Sequence, residues 1–369
     1  MSTASMALLV DALQHPERLD ALRPGQWDLV IRQARQADVL ARLAAEAQHA
    51  GCWDAIPLQP RMHLASAHKL ASRQHTELRH EVLEIERALQ PIGLPAVLLK
   101  GAAYALAGLG ASRGRMVSDV DILVPRERLA DVESALMMAG WVSTNRDAYD
   151  QHYYRTWMHE LPPLRHMRRG SVLDVHHAIL PLTARFKPDT EHLLQSSVAV
   201  GGREGIRVLG RADMVLHSAA HLFHEGELEM GFRGLVDLDA LLREFAQSPD
   251  FWNSLLQRAS ELDLEWPLFQ ALRYTGRVLQ TPVPPRVIEP LQERLGAAPW
   301  RLRLMDALYL RALRPDHALA SDGWTPLARW ALYLRGHWLR MPPGLLVVHL
   351  LRKLLSSVHT PKARDDQVL

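Results

Sequence analysis

Two aspartates stand two residues apart, at Asp119 and Asp121, in the segment SDVDILVP. The alternation of this segment predicts a β-strand, so both carboxylates project from one face, opposite Val120 and Ile122. Like charges on one rigid face repel each other unless a divalent cation lies between them, and Mg²⁺ prefers one or two carboxylates together with substrate phosphates. The pair therefore indicates a magnesium site; an exposed strand face is the alternative interpretation.

Asp174 offers a third carboxylate, in the strand-like segment SVLDVHHAI, residues 171–179. Leu173 and Val175 alternate away from it, so a neighbouring position in the sheet would bring Asp174 beside the aspartate pair. Three carboxylates would complete a two-metal site of the kind that supports in-line phosphoryl or nucleotidyl displacement. From the residues alone, Asp174 is as compatible with a surface position as with metal binding. His176, on the same strand, is expected beside the bound cofactor.

Lys100 and Gly101 end a short apolar run immediately before a helical segment. The first N–H groups of a helix are unpaired and its dipole favours anions, so a phosphate could bind there. Gly101 would let the phosphate approach, and Lys100 would supply a positive charge. The loop that leads to the aspartate pair adds polar groups that could contact a triphosphate: Ser112, Arg113, Arg115 and Ser118.

Taken together, LLKGAAYALAGLG, then R-x-x-S-D-V-D-I-L-V, then V-L-D-V-H-H resemble the uncharacterised nucleotidyltransferase family of the DNA polymerase β-like superfamily. The order and spacing of the motifs match over roughly residues 73–242. The resemblance implies that Asp119, Asp121 and Asp174 are the catalytic acids and bind two Mg²⁺ ions. It also implies a nucleoside triphosphate substrate whose α-phosphate is attacked with loss of pyrophosphate.

One position departs from the pattern of that superfamily. Many members have a serine directly after the glycine of the first motif, where it touches the phosphates, whereas this chain has Ala102 after Gly101. Lys100 or Ser112 would then have to provide the missing phosphate contact.

The elements that must position these residues follow from changes in hydrophobic period. Apolar residues recur at helical spacing from residue 6 to about residue 90, strand-like runs begin at residue 94, and the helical period returns from residue 211 onward. We expect an α+β fold: a small mixed β-sheet nucleotidyltransferase core, with three strands recognised, flanked by N-terminal helices and a C-terminal helical domain. The expected boundaries are 1–90, 91–205 and 206–369.

Three histidines, His217, His221 and His224, fall on one face of a predicted helix, as metal ligands could. The motif lacks the glutamate of H-E-x-x-H, and the nearby acids are Glu225 and Asp237. These residues keep open a second hypothesis, a metal-dependent phosphohydrolase. A third is a catalytically inactive, nucleotidyltransferase-like binding or regulatory protein.

The composition of the chain limits which other classes of protein it could belong to. Among 369 residues, 43 basic and 41 acidic side chains leave a net charge of +2, too balanced to indicate a nucleic-acid-binding surface by charge alone. The single cysteine, Cys52, rules out an intramolecular disulfide and a cysteine-based zinc cluster and fits a reducing cytoplasm. No apolar run approaches the ~20 residues that cross a bilayer, so no integral membrane segment is expected.

The sequence thus predicts a cytoplasmic, magnesium-dependent nucleotidyltransferase that transfers a nucleoside monophosphate from an NTP. ATP, CTP, GTP and UTP all remain open as the donor. The acceptor is equally open: a small molecule, a peptide, a protein or RNA would fit.

Overall fold

The computed structural model describes residues 2–143, 158–224, 226 and 228–340. Four α-helices precede the sheet: α1 (Ser2–Gln14), α2 (Pro24–Gln36), α3 (Leu40–His49) and α4 (Leu58–Leu89). The other described α-helices connect strands or follow the sheet: α5 (Lys100–Leu106), α6 (Leu129–Met138), α7 (Thr190–Gln195), α8 (Arg211–His224), α9 (Gly231–Phe245), α10 (Phe251–Glu261), α11 (Glu265–Leu279), α12 (Pro285–Arg294), α13 (Pro299–Ala312) and α14 (Thr325–Arg340).

The described residues place seven strands in one mixed sheet: β1 (Ala96–Leu98), β2 (Asp119–Leu123), β3 (Trp141–Ser143), β4 (Leu164–His166), β5 (Val172–His176), β6 (Val198–Val200) and β7 (Arg203–Val208). Their order across the sheet is β3-β4-β5-β2-β1-β7-β6. Strand β2 pairs in parallel with β5, and β1 in parallel with β7, while the other neighbouring pairs are antiparallel. The predicted α+β class and the mixed sheet are confirmed.

The sheet is larger than the three strands that the sequence indicated. Three of the additional strands, β3, β4 and β6, have three residues each, too few to show an alternating pattern. The fourth, β7, has three charged residues among its six and pairs with β1. The expected C-terminal boundary of the nucleotidyltransferase core, residue 205, falls within β7.

Helix α4 covers one side of the sheet. Its apolar stripe, expected from the sequence, is buried: Leu78, Val82, Ile85 and Leu89 are at most 5 % exposed, and the helix packs against β1, β2 and β7. Helix α8 packs against α9, α10 and α11 and also contacts α5, the helix that follows β1. The elements that carry the candidate residues are therefore held between helices from both ends of the chain. None of the helices in the described ranges is long and apolar enough to span a bilayer.

Candidate active site

The three predicted acids are brought together by the register of two parallel strands. Asp121 on β2 lies directly opposite Asp174 on β5, and Asp119 lies opposite Val172. Directly paired residues of parallel strands share a face, and residues two apart on one strand do so as well. All three carboxylates therefore belong to one face of the sheet. The intervening Val120 is 4 % exposed and packs in the core, as the alternation predicted.

Asp121 is the most enclosed of the three acids, with 5 % of its surface exposed. Lys100 Nζ donates to Asp121 Oδ1 at 3.0 Å, and His176 Nε2 lies 2.9 Å from the same oxygen. Burial alone would raise the pKa of Asp121, but the Lys100 ammonium and the His176 imidazole together hold that pKa well below its usual range. Asp121 is therefore ionised, and both of these contacts are made by its Oδ1.

Asp174 has the opposite environment. Its Oδ1 is buried and has no hydrogen-bond partner among the described residues. Burial, together with the negative charges of Asp121 and Glu160, raises the pKa of Asp174 to about 7. The protein thus leaves part of the negative charge around Asp174 unneutralised, and a bound divalent cation would neutralise it.

We expect Asp174→Asn to stabilise the metal-free protein in a pH-dependent way. A carboxyl group with an ordinary pKa of 3.8 that titrates near pH 7 in the folded chain destabilises the fold progressively as the pH rises from 3.8 toward 7. Asparagine removes this cost. In EDTA, the gain in unfolding free energy from Asp174→Asn should grow by about 2–3 kcal/mol between about pH 5 and about pH 8.

Urea denaturation at the two pH values measures this gain. Asp131→Asn, which removes an exposed carboxylate from α6, controls for the change in net charge. A gain for Asp174→Asn that is the same at both pH values contradicts the environment described for Asp174.

The three aspartates fit a magnesium ion by their chemistry, because they offer hard oxygen donors on adjacent rigid strands. Their carboxylates do not form one compact group in this conformation, since Asp121 is turned onto Lys100 and His176. The ammonium group of Lys100 neutralises part of the charge that a metal ion would neutralise. Lys100 has a φ of 47°, a left-handed conformation that aims its side chain back toward β2.

A cavity of about 180 Å³ lies in front of the aspartate pair. Asp119, Asp121 and Ser118 lie on its β2 side, and Lys100 and Gly101 lie where β1 leads into α5. The opposite wall comes from helices α8 and α9. Side chains that add polar groups to the lining are Tyr104, Arg115, Ser218, His221, Arg233 and Asp237. Carboxylates and cations therefore face the same space, as binding of a metal–triphosphate complex requires.

Gly101 is required by a close approach of Arg115. A Cβ at residue 101 would lie 2.1 Å from Arg115 Nη1 and 3.1 Å from Val117 Cγ2. Arg115 is fixed by Asp237, whose Oδ2 accepts from Arg115 Nε at 2.7 Å. Because Gly101 has no side chain, the guanidinium of Arg115 can lie against it and line the cavity.

A family model described as "uncharacterised nucleotidyltransferase" matches residues 23–280 of the chain. The match covers the sheet, the three acids and the cavity. The chain belongs to the uncharacterised nucleotidyltransferase family. Membership supports a general nucleotidyl-transfer activity. Searches among curated proteins and among solved structures found no match.

Two residues expected to contact phosphate, Ser118 and Ser112, line different cavities. Ser118 is exposed at the cavity, and its Oγ lies 3.3 Å from Asp119 Oδ1. Ser112 instead lines a separate cavity of about 810 Å³ and donates to Leu109 O at 2.7 Å. His176 contacts Asp121 from within the sheet and is 2 % exposed.

The three helical histidines do not converge on one point. His217 is 4 % exposed, and burial lowers its pKa well below the usual value. His221 lines the cavity, whereas His224 lies against Phe186 with ring centroids 5.7 Å apart. Asp237 is engaged by Arg115. Glu225 lies outside the described residues.

Two residues beside the candidate site, His159 and Glu160, were not predicted from the sequence. They lie in a polar segment without strand-like alternation, yet Glu160 forms an isolated β-bridge with His176. The adjacent His-Glu pair was the available signal. Its position beside Asp121 depends on a long-range pairing that no local pattern shows.

Proposed function

We propose that this protein is a magnesium-dependent nucleotidyltransferase that transfers a nucleoside monophosphate from an NTP to an acceptor. The observation that carries the proposal is the parallel register of β2 and β5, which sets Asp121 opposite Asp174 with Asp119 on the same face. Asp119, Asp121 and Asp174 would hold two Mg²⁺ ions. These ions, when bound, supply the charge neutralisation that in-line displacement at the α-phosphate needs.

The residues around the cavity provide the contacts that orient a triphosphate. Lys100 has its ammonium group at Asp121 Oδ1, 3.0 Å away, at the border of the cavity. Arg115 is held over Gly101 by Asp237 and presents its guanidinium to the same space. Ser118 offers an exposed hydroxyl beside Asp119. A negatively charged triphosphate would thus be placed against β2 by fixed cations.

Asp174 is suited to a second task, accepting the proton of the acceptor nucleophile. Its pKa of about 7 lies where a general base is most effective at neutral pH. Asp121 cannot share this task, since Lys100 and His176 hold it ionised. The two environments thus distinguish Asp121, which is ionised before any metal ion binds, from Asp174, which would bind a metal ion and could also take up a proton.

Ala102 does not conflict with this proposal. Its side chain is 1 % exposed and packs in the core, and it does not line the cavity in front of Asp119. Phosphate contacts would come from Lys100, Arg115 and Ser118 instead.

We assign the enzyme to the cytoplasm, because its single Cys52 fits a reducing compartment. The acceptor would be a small molecule, a peptide, a protein or RNA.

Position-specific labelling of the nucleotide tests the proposed reaction. The protein is incubated with Mg²⁺, a cell lysate as source of acceptors, and ATP, CTP, GTP or UTP labelled on the α- or the γ-phosphate. We expect the α-label to enter an acceptor and the γ-label to leave in pyrophosphate. Release of the γ-label as inorganic phosphate without labelled acceptor would indicate a phosphohydrolase, and no change of any labelled nucleotide would indicate an inactive relative.

A further inference from the structure

A cluster of nitrogen and oxygen ligands lies beside Asp121, and its members do not line the cavity in front of the aspartate pair. His159, Glu160 and His176 each offer one ligand atom, and these three atoms lie within 4.8 Å of one another. It is the only such group of three among the residues that the structure describes. The backbone holds the group together, because Glu160 bridges to His176 and His177 N donates to His159 O at 2.8 Å.

His176 lies between two carboxylates. Its Nε2 is 2.9 Å from Asp121 Oδ1, and its Nδ1 is 3.4 Å from Glu160 Oε2. With Nε2 donating to Asp121, Nδ1 can carry a proton toward Glu160 or, in place of that proton, bind a metal ion that Glu160 also binds. Metal-bound histidines characteristically donate their second N–H to a carboxylate in this way.

His159 adds an independent observation. The residue is only 7 % exposed, and its Nδ1 is buried without a hydrogen-bond partner among the described residues. Its ring lies beside that of His176, with centroids 5.3 Å apart. A buried polar atom without a partner costs free energy, and coordination to a metal ion removes that cost.

We propose that His159, Glu160 and His176 bind one divalent transition-metal ion of the Zn²⁺ type, separate from the magnesium site of the three aspartates. Two imidazoles and one carboxylate suit Zn²⁺, whereas Mg²⁺ prefers oxygen donors. The separation of 3.4 Å between His176 Nδ1 and Glu160 Oε2 matches the edge of a tetrahedron with bonds of about 2.0–2.1 Å. Three protein ligands leave one coordination position for another ligand.

This site would act on the aspartates through His176. A metal ion on Nδ1 fixes the orientation of the imidazole, which in turn holds Asp121 Oδ1. It also ties the segment that carries His159 and Glu160 to the end of β5. The site does not depend on nucleotidyl transfer and can be tested without it.

Titration of the metal-free protein with Co²⁺, followed by competition with Zn²⁺, tests the proposal. We expect one Co²⁺ per chain with the visible absorption of a four-coordinate site, lost on addition of Zn²⁺. His159→Gln should weaken Zn²⁺ binding by about 10- to 100-fold or more. His177→Gln is the matched control, because His177 is 3 % exposed and its Nδ1 is also unpartnered, but it does not belong to the cluster.

Two further variants keep the outcome interpretable. Glu160→Gln replaces His159→Gln if that variant fails to fold by circular dichroism, and it should weaken Zn²⁺ binding in the same direction. Asp119→Asn should retain the Co²⁺ spectrum even though it disables the proposed magnesium site, so failure of one site is distinguishable from failure of the other. Absence of a Co²⁺ spectrum in the wild-type protein, or equal Zn²⁺ affinity of the His159→Gln and His177→Gln proteins, overturns the proposal.

Discussion

Asp119→Asn is expected to abolish Mg²⁺-dependent binding of the nucleoside triphosphate and to lower the rate of nucleotidyl transfer by about 10²- to 10³-fold or more. Asp119 lines the cavity, and its only described side-chain contact is with Ser118 Oγ. Asparagine keeps the shape of the side chain but removes the charge that a metal ion requires. The fold should be little affected, because this carboxylate holds no other element in place.

Asp121 is a less selective position for the same test. Its carboxylate neutralises Lys100 and orients His176, so its removal would combine loss of a metal ligand with a change in the buried charges. Asp119 separates the two effects because it lies at the border of the cavity.

Isothermal titration with each NTP, with Mg²⁺ or with EDTA, measures the binding effect of Asp119→Asn. Asp131→Asn on α6 is the control for net charge and should bind as the wild-type protein does. Melting temperatures of both variants verify that the fold is retained. Equal Mg²⁺-dependent binding by wild type and Asp119→Asn would refute the role proposed for the aspartates.

The sequence alone could predict the part of the site that depends on local spacing. Asp119 and Asp121 share a face because they are two apart on a strand, and Gly101 precedes them in the order that the family motif requires. Asp174 could be named as a third acid, since Leu173 and Val175 mark a strand around it. Its alignment opposite Asp121 rests on strand register, which the sequence did not specify.

The charge partners in the site could not be predicted in this way. Arg115 looked like a free phosphate-binding residue, yet its guanidinium pairs with Asp237 on a helix that follows the sheet. Lys100 likewise pairs with Asp121. Such contacts depend on how helices pack across the sheet, and hydrophobic periodicity indicates which face is buried without indicating its partner. The same limit explains why the four additional strands were missed.

Helix packing therefore positions charged groups of the candidate site in addition to those on the strands. Asp237 on α9 contacts two arginines from separate parts of the chain: Arg115, at 2.7 Å, and Arg42 on α3, at 3.9 Å. Arg42 also donates to Ala111 O at 2.8 Å and is 4 % exposed. One buried carboxylate thus links the N-terminal helices, the loop before β2 and the C-terminal helices.

Asp237→Ala is accordingly expected to lower the free energy of unfolding by about 3–5 kcal/mol. The substitution leaves the guanidinium of Arg115, 11 % exposed, without its carboxylate partner and deprives the buried Arg42 of one of its two acidic partners. Asp239→Ala on the same helix is the matched control: it removes an ion pair with Arg243, which is 42 % exposed, and a hydrogen bond from Thr281, so we expect a loss of only about 1–2 kcal/mol. Urea denaturation in the presence of EDTA measures both losses. In EDTA no metal ion contributes, so a large loss for Asp237→Ala supports its pairing with the arginines, whereas a loss no greater than that of Asp239→Ala contradicts it.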